Sequence, residues 1–155
     1  MSGTHLHIVL NHLPVTLAMI TLLVLIFGVL RKSADIQRLG LGLMVLLAVF
    51  GATAFFTGPG AAKFYEGNDF YQSRIQRHRD SAGVAWLTGL AVGAVGVTLI
   101  VLSRKSSTVP LSFMAIAAVV LSAQLFLLAR TSNLGGQVTR PILAEDAASK
   151  MLGTD

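Results

Sequence analysis

The run "LPVTLAMITLLVLIFGVL" (13–30) holds eighteen residues without a formal charge. A membrane-spanning helix needs about 20 apolar residues. This run, extendable back to Leu6, is therefore expected to cross a bilayer once. Three further runs, 39–57, 81–103 and 111–129, are equally free of Asp, Glu, Lys and Arg. Each fits one crossing and none fits two. The expected fold is all-α: an integral membrane four-helix bundle forming a single domain over 1–155. Its spans are expected near 11–30, 39–57, 82–102 and 111–129, with 58–80 and the tail 131–155 outside the membrane.

Composition supports this reading. Hydrophobic residues make up 54% of the 155 residues and charged residues only 12%, where soluble domains carry about 25% charge. The mean hydropathy is +0.71. There are no cysteines, which excludes disulfides, zinc-thiolate sites, iron–sulfur clusters and thioether-linked haem. Imidazole and carboxylate remain as metal ligands. The net charge of +5 reads as topology and lipid contact, not nucleic-acid binding. The opening "MSGTH" has no basic residue before the first apolar run, so that run is expected to be a retained helix and not a cleaved signal.

Four crossings put both termini and the 58–80 segment on one side, and the turns "RKSADIQR" (31–38) and "SRKSSTVP" (103–110) on the other. The short turns concentrate Arg31, Lys32, Arg38, Arg104 and Lys105 against Asp35 alone. Basic density then favours these turns in the cytoplasm, with the termini on the periplasmic side of a bacterial inner membrane. "TGPG" (57–60) is expected to end helix two and "NLGGQ" (133–137) to cap helix four. Trp86, Tyr65 and Tyr71 are expected in an interfacial aromatic belt, and Gln124 to hydrogen-bond inside the bundle. Small residues, among them Ala85, Gly89 and Gly93, are expected to bring helices into close contact.

All four histidines fall on the side of the termini. His5, His7 and His12 stand in "HLHIVLNHLP" (5–14), and His78 stands shortly before helix three. Topology puts His12 and His78 at matched depth. On an unbroken helix His5 and His12 would share a stripe, with His7 about 140° away from His12. Pro14 removes one backbone donor, and Asn11 beside it could hold the His12 ring. Two facing imidazoles from different helices suit a b-type haem with bis-histidine ligation. His12 and His78 are the expected axial pair, with Arg74 and Arg77, near Lys63 and Arg79, as cations for the propionates. The competing metal reading is a Cu or Zn site on His12, His78 and His7, with Glu66, Asp69 or Asp80.

"NHLPVTLAM" (11–19), "TAFFTGPGAAKF" (53–64), "HRDSAGVAW" (78–86) and "SNLGGQVTRP" (132–141) together resemble the marks of a bacterial family of small four-span membrane proteins, a domain of unknown function. The resemblance covers nearly the whole chain. It implies a four-helix membrane bundle with His12, Thr57, Gly58, His78, Gly135 and Gly136 at the marked positions. It implies no activity.

The expected function is electron transfer through haem b, between a periplasmic redox partner and quinone or as a subunit of a redox complex. This makes the chain an electron-transfer protein more than a stand-alone enzyme. The alternatives are membrane Cu or Zn binding, or a non-catalytic anchor or assembly subunit. The expected partners are the lipid bilayer and a homo- or hetero-oligomer, with no nucleic acid.

Overall fold

A computed structural model describes His7, residues 10–65 and residues 69–152, with 64, 69 and 141–152 described by backbone alone. Among the described residues it contains four long helices: α1 (Leu13–Leu30), α2 (Ala34–Ala62), α3 (Asp69–Ser103) and α4 (Leu111–Leu152). A 3-10 turn, Lys63–Tyr65, follows α2. Each helix is long and apolar enough to cross a membrane, which fits a multi-pass membrane protein. Consecutive helices pack against each other, and α4 returns to α1. The ring therefore closes with α1 diagonal to α3.

The inward faces follow a seven-residue pattern. On α1 the buried residues are Pro14, Ala18, Thr21, Leu25 and Gly28. On α3 they include Ala85, Gly89, Val92, Gly96, Leu99 and Ser103. On α4 they are Met114, Ala117, Leu121 and Gln124, then Val138 further out. Alternating steps of three and four drift only about 20° per heptad on an α-helix, so each set forms one seam. The outward faces carry Leu23, Leu30, Val119 and Phe126, each more than 60% exposed, as suits contact with lipid tails.

Lipid is as apolar as leucine, so close packing and internal hydrogen bonds must hold such helices together. A Cβ on Gly93 would stand 2.7 Å from Ala48 Cβ, and one on Gly96 would stand 2.7 Å from the Leu41 carbonyl oxygen. Only glycine permits that approach of α3 to α2. Between α3 and α4, buried Gln124 donates through Nε2 to the Ala85 carbonyl at 2.9 Å and accepts from the Thr88 hydroxyl at 2.7 Å. This is the internal bond expected of it. At the end with the short turns, Arg38 donates to the Ser103 carbonyl at 2.9 Å and to that of Ser106, tying α2 to the C-terminus of α3.

Two expected helix ends are absent. The α2 helix passes through "TGPG" with Pro59 inside it, and α4 passes through "NLGGQ" to Leu152. Interior glycine disfavours helix by about 1 kcal/mol relative to alanine. Tertiary contacts outweigh that here: Gly135 packs on the His78 ring, and Arg74 Nη1 donates to the Gln137 carbonyl at 2.7 Å. That carbonyl would otherwise lack its helical partner, because Pro141 has no N–H. At 35 and 42 residues, α3 and α4 run about 52 and 63 Å. Both exceed a hydrocarbon core of about 30 Å.

Candidate functional site

Extending each seam away from the short turns leads to one cluster. His7 lies seven residues before buried Pro14, and His78 lies seven before buried Ala85. Seven residues are two turns less about 20°, so His78 continues the inward face of α3, while His7, before the turn at 11–12 that precedes α1, is half-buried against Thr57 and Gly58 of α2. Gly58 stands fourteen residues after buried Met44, and Gly135 fourteen after buried Leu121. The same repeat thus brings α2 and α4 to the two rings.

The two hairpins supply matching surroundings. In the first, His7 Nδ1 lies 3.1 Å from Thr57 Oγ1. The Thr57 hydroxyl has one proton, which it directs to the Thr53 and Ala54 carbonyls at 3.0 and 3.1 Å. Lone pairs are left for His7, so Nδ1–H donates. In the second hairpin, His78 Nδ1 lies 3.0 Å from the Thr131 carbonyl oxygen, which can only accept. Here too Nδ1 carries the proton. A neutral imidazole protonated at Nδ1 keeps its lone pair on Nε2. Ser81 Oγ meets Thr131 Oγ1 at 2.8 Å. Thr131 donates to the Leu127 carbonyl, so Ser81 is the donor of that pair.

Glycine sets the distance of α4 from the His78 ring, while α2 meets His7 at ordinary contact distance. A Cβ on Gly58 would stand 3.5 Å from His7 Cε1. One on Gly135 would stand 3.1 Å from His78 Cε1 and 3.3 Å from its Nδ1.

Burial lowers the pKa of His7 below the ordinary imidazole value. The charge of His78 lowers it further, and a hydrogen bond to the Ala54 carbonyl opposes both. The diagonal histidines are therefore near enough for charge on one to disfavour charge on the other. The lowered pKa favours the uncharged ring at neutral pH.

His12 is not in this cluster. It caps the N-terminus of α1, two residues before Pro14, and is exposed. Its backbone begins α1, with its carbonyl accepting from the Thr16 N–H at 3.2 Å. Its ring has no hydrogen bond to a described residue. Of the expected ligand residues, His7 and His78 are half-buried against neighbouring helices, and His12 is exposed. The direction of α1 is hard to see in sequence because the helix is apolar on every side. The small residues Ala18, Thr21 and Gly28 do mark its inward face.

The remaining expected residues separate. Arg74 is half-buried, bound to α4 and 4.5 Å over the Phe70 ring. Four residues before His78, it stands within one turn on nearly the same face. Arg77 is exposed and faces outward into a groove between α3 and α4. Lys63 and Arg79 are exposed. Asp80 accepts from Gln76 at 2.7 Å. His5, Glu66 and the Asp69 side chain lie outside the described residues. Among the described residues, no three His, Cys, Asp or Glu side chains are grouped to hold a metal ion.

Thr57 and Thr131 as partners of the rings were not legible from spacing, since only the packed seams align them. Trp86 stacks on Phe55 at 5.1 Å and 7° between planes, joining α3 to α2. No protein-family model, curated protein or solved structure matches the chain.

Proposed function

We propose that this chain binds haem b, which Nε2 of His7 and Nε2 of His78 would hold. The observation carrying this reading is the pair of diagonal imidazoles, each with its Nδ1 proton held by an oxygen of the neighbouring helix. Metal-bound histidines commonly donate their second nitrogen in this way, which fixes the tautomer and raises ligand basicity. A bis-histidine haem asks for two protein nitrogens, matching the donor set. A closed Cu or Zn site asks for a third or fourth ligand.

When bound, the haem supplies one-electron redox chemistry. The chain's own residues do the rest. Thr57 and the Thr131 carbonyl would hold the Nδ1 protons, Gly135 would leave room for the His78 ring, and Arg74 would supply positive charge for a propionate. Held by two histidine nitrogens, the haem would supply electron transfer rather than substrate binding at the iron. The proposed partners are a quinone in the bilayer and a redox protein on the histidine side. The proposed setting is a bacterial inner membrane with the histidine end in the periplasm, resting on the basic density of the short turns.

The test is a reduced-minus-oxidised absorption spectrum of the purified protein, expressed with haem supplied. Sharp Soret and α bands at about one haem per chain support the reading. A colourless protein rejects it.

A further inference from the structure

A second site lies on the outer side of the same two helices. A groove of about 300 Å³ runs between α3 and α4, lined by Arg77, Asp80 and Val84 from one helix and Leu127, Arg130 and Leu134 from the other. Its charged residues stand just outside the apolar runs 81–103 and 111–129, and its apolar floor reaches into them. Arg77 donates only to the Ser73 carbonyl of its own helix, at 3.4 Å. Arg130 is exposed and has no hydrogen bond or ion pair among the described residues. Asp80 is occupied by Gln76.

Two guanidiniums and one carboxylate give the lining a charge of +1. A free anion would use the cationic rim but leave the Val84–Leu127–Leu134 floor bare. An acyl chain alone would use the floor and leave the arginines unpaired. An amphiphile with one phosphodiester charge matches both, and guanidinium suits phosphate geometry. We propose that this groove binds an anionic phospholipid, with its phosphate on Arg77 and Arg130 and its upper acyl chain over the apolar floor. Each arginine is the sequence neighbour of a site residue: Arg77 adjoins His78 and Arg130 adjoins Thr131. A lipid bridging the two arginines would hold α3 against α4 at the level of the His78–Thr131 bond. The proposal is independent of the haem.

The test is native mass spectrometry of delipidated protein titrated with phosphatidylglycerol, phosphatidylcholine or inorganic phosphate. Phosphatidylglycerol is expected to bind at least tenfold more tightly than phosphatidylcholine, and inorganic phosphate to give no adduct. Each basic residue near an anionic lipid contributes about 1 kcal/mol, so the combined Arg77→Gln and Arg130→Gln variant is expected to bind phosphatidylglycerol at least tenfold more weakly. Val84→Trp fills the floor from an exposed position and is expected to weaken binding with both arginines intact. Equal binding of the two lipids would overturn the proposal, as would unchanged binding by either variant or binding of inorganic phosphate as strong as that of lipid.

Discussion

His78 Nδ1 lies 3.0 Å from the Thr131 carbonyl oxygen, and the ring is held there because residue 135 has no Cβ. A methyl at 135 would stand 3.1 Å from Cε1 and 3.3 Å from Nδ1, so the ring would have to give way or its hydrogen bond lengthen. Gly135→Ala is therefore expected to lower haem occupancy severalfold and to destabilise the fold by about 1–3 kcal/mol, the usual range for overpacking. Gly58→Ala meets His7 at 3.5 Å, an ordinary contact, and should leave both nearly unchanged. Haem per polypeptide and thermal unfolding in detergent measure the two variants side by side.

The Thr57 hydroxyl is the acceptor that holds His7 in its Nδ1–H form. Losing such an outer partner typically weakens metal binding about 10–100-fold. Thr57→Val keeps the shape and removes the acceptor. It should weaken haem binding by that order and shift the midpoint potential, and Thr57→Ser should restore both. A purely structural role for Thr57 would leave the potential unmoved.

His7 has a lowered folded-state pKa, from burial first and the charge of His78 second. The unfolded chain therefore binds more protons than the folded one once the pH falls below the ordinary histidine value of about 6.5. Stability rises with pH wherever the unfolded state binds more protons. For the haem-free protein, the contribution of His7 is thus fully present above that value and is lost as the pH falls through its folded pKa. Unfolding temperature measured from pH 7.5 to pH 5 should decline, and His7→Gln should make the decline shallower, the remainder coming from His78, whose pKa burial also lowers.

Arg74 donates to the Gln137 carbonyl that Pro141 leaves without a helical partner. Arg74→Ala should destabilise by about 1–3 kcal/mol, the effect of a lost bond to a charged group. Pro141→Ala returns an N–H to that carbonyl, so the loss should be smaller in the Pro141→Ala background. A double-mutant cycle on unfolding free energies reads this coupling. Additivity of the two variants would contradict it.

The fold was legible because uncharged runs of spanning length leave few alternatives to crossing a bilayer. The bonding of Gln124 was legible because a lone amide in an apolar run needs a partner inside the bundle. The partner of His78 was harder to read. Matching depth favoured His12, and depth carries no information about which way a side chain faces. On a soluble helix the polar face would have supplied that direction, but α1 has none, and only the small residues Ala18, Thr21 and Gly28 encode it. The ends of α2 and α4 were misread because Pro59 and Gly135–Gly136 signal a break locally. At 135 and 137, contacts from His78 and Arg74, distant in sequence, outweigh that signal.

The pairing itself is tested most directly by the reduced-minus-oxidised spectra of three single variants in one preparation. His7→Ala and His78→Ala should each lose the bis-histidine α band, while His12→Ala keeps it at wild-type intensity. An α band that survives His7→Ala but disappears in His12→Ala would contradict the assignment of His7 as the ligand opposite His78.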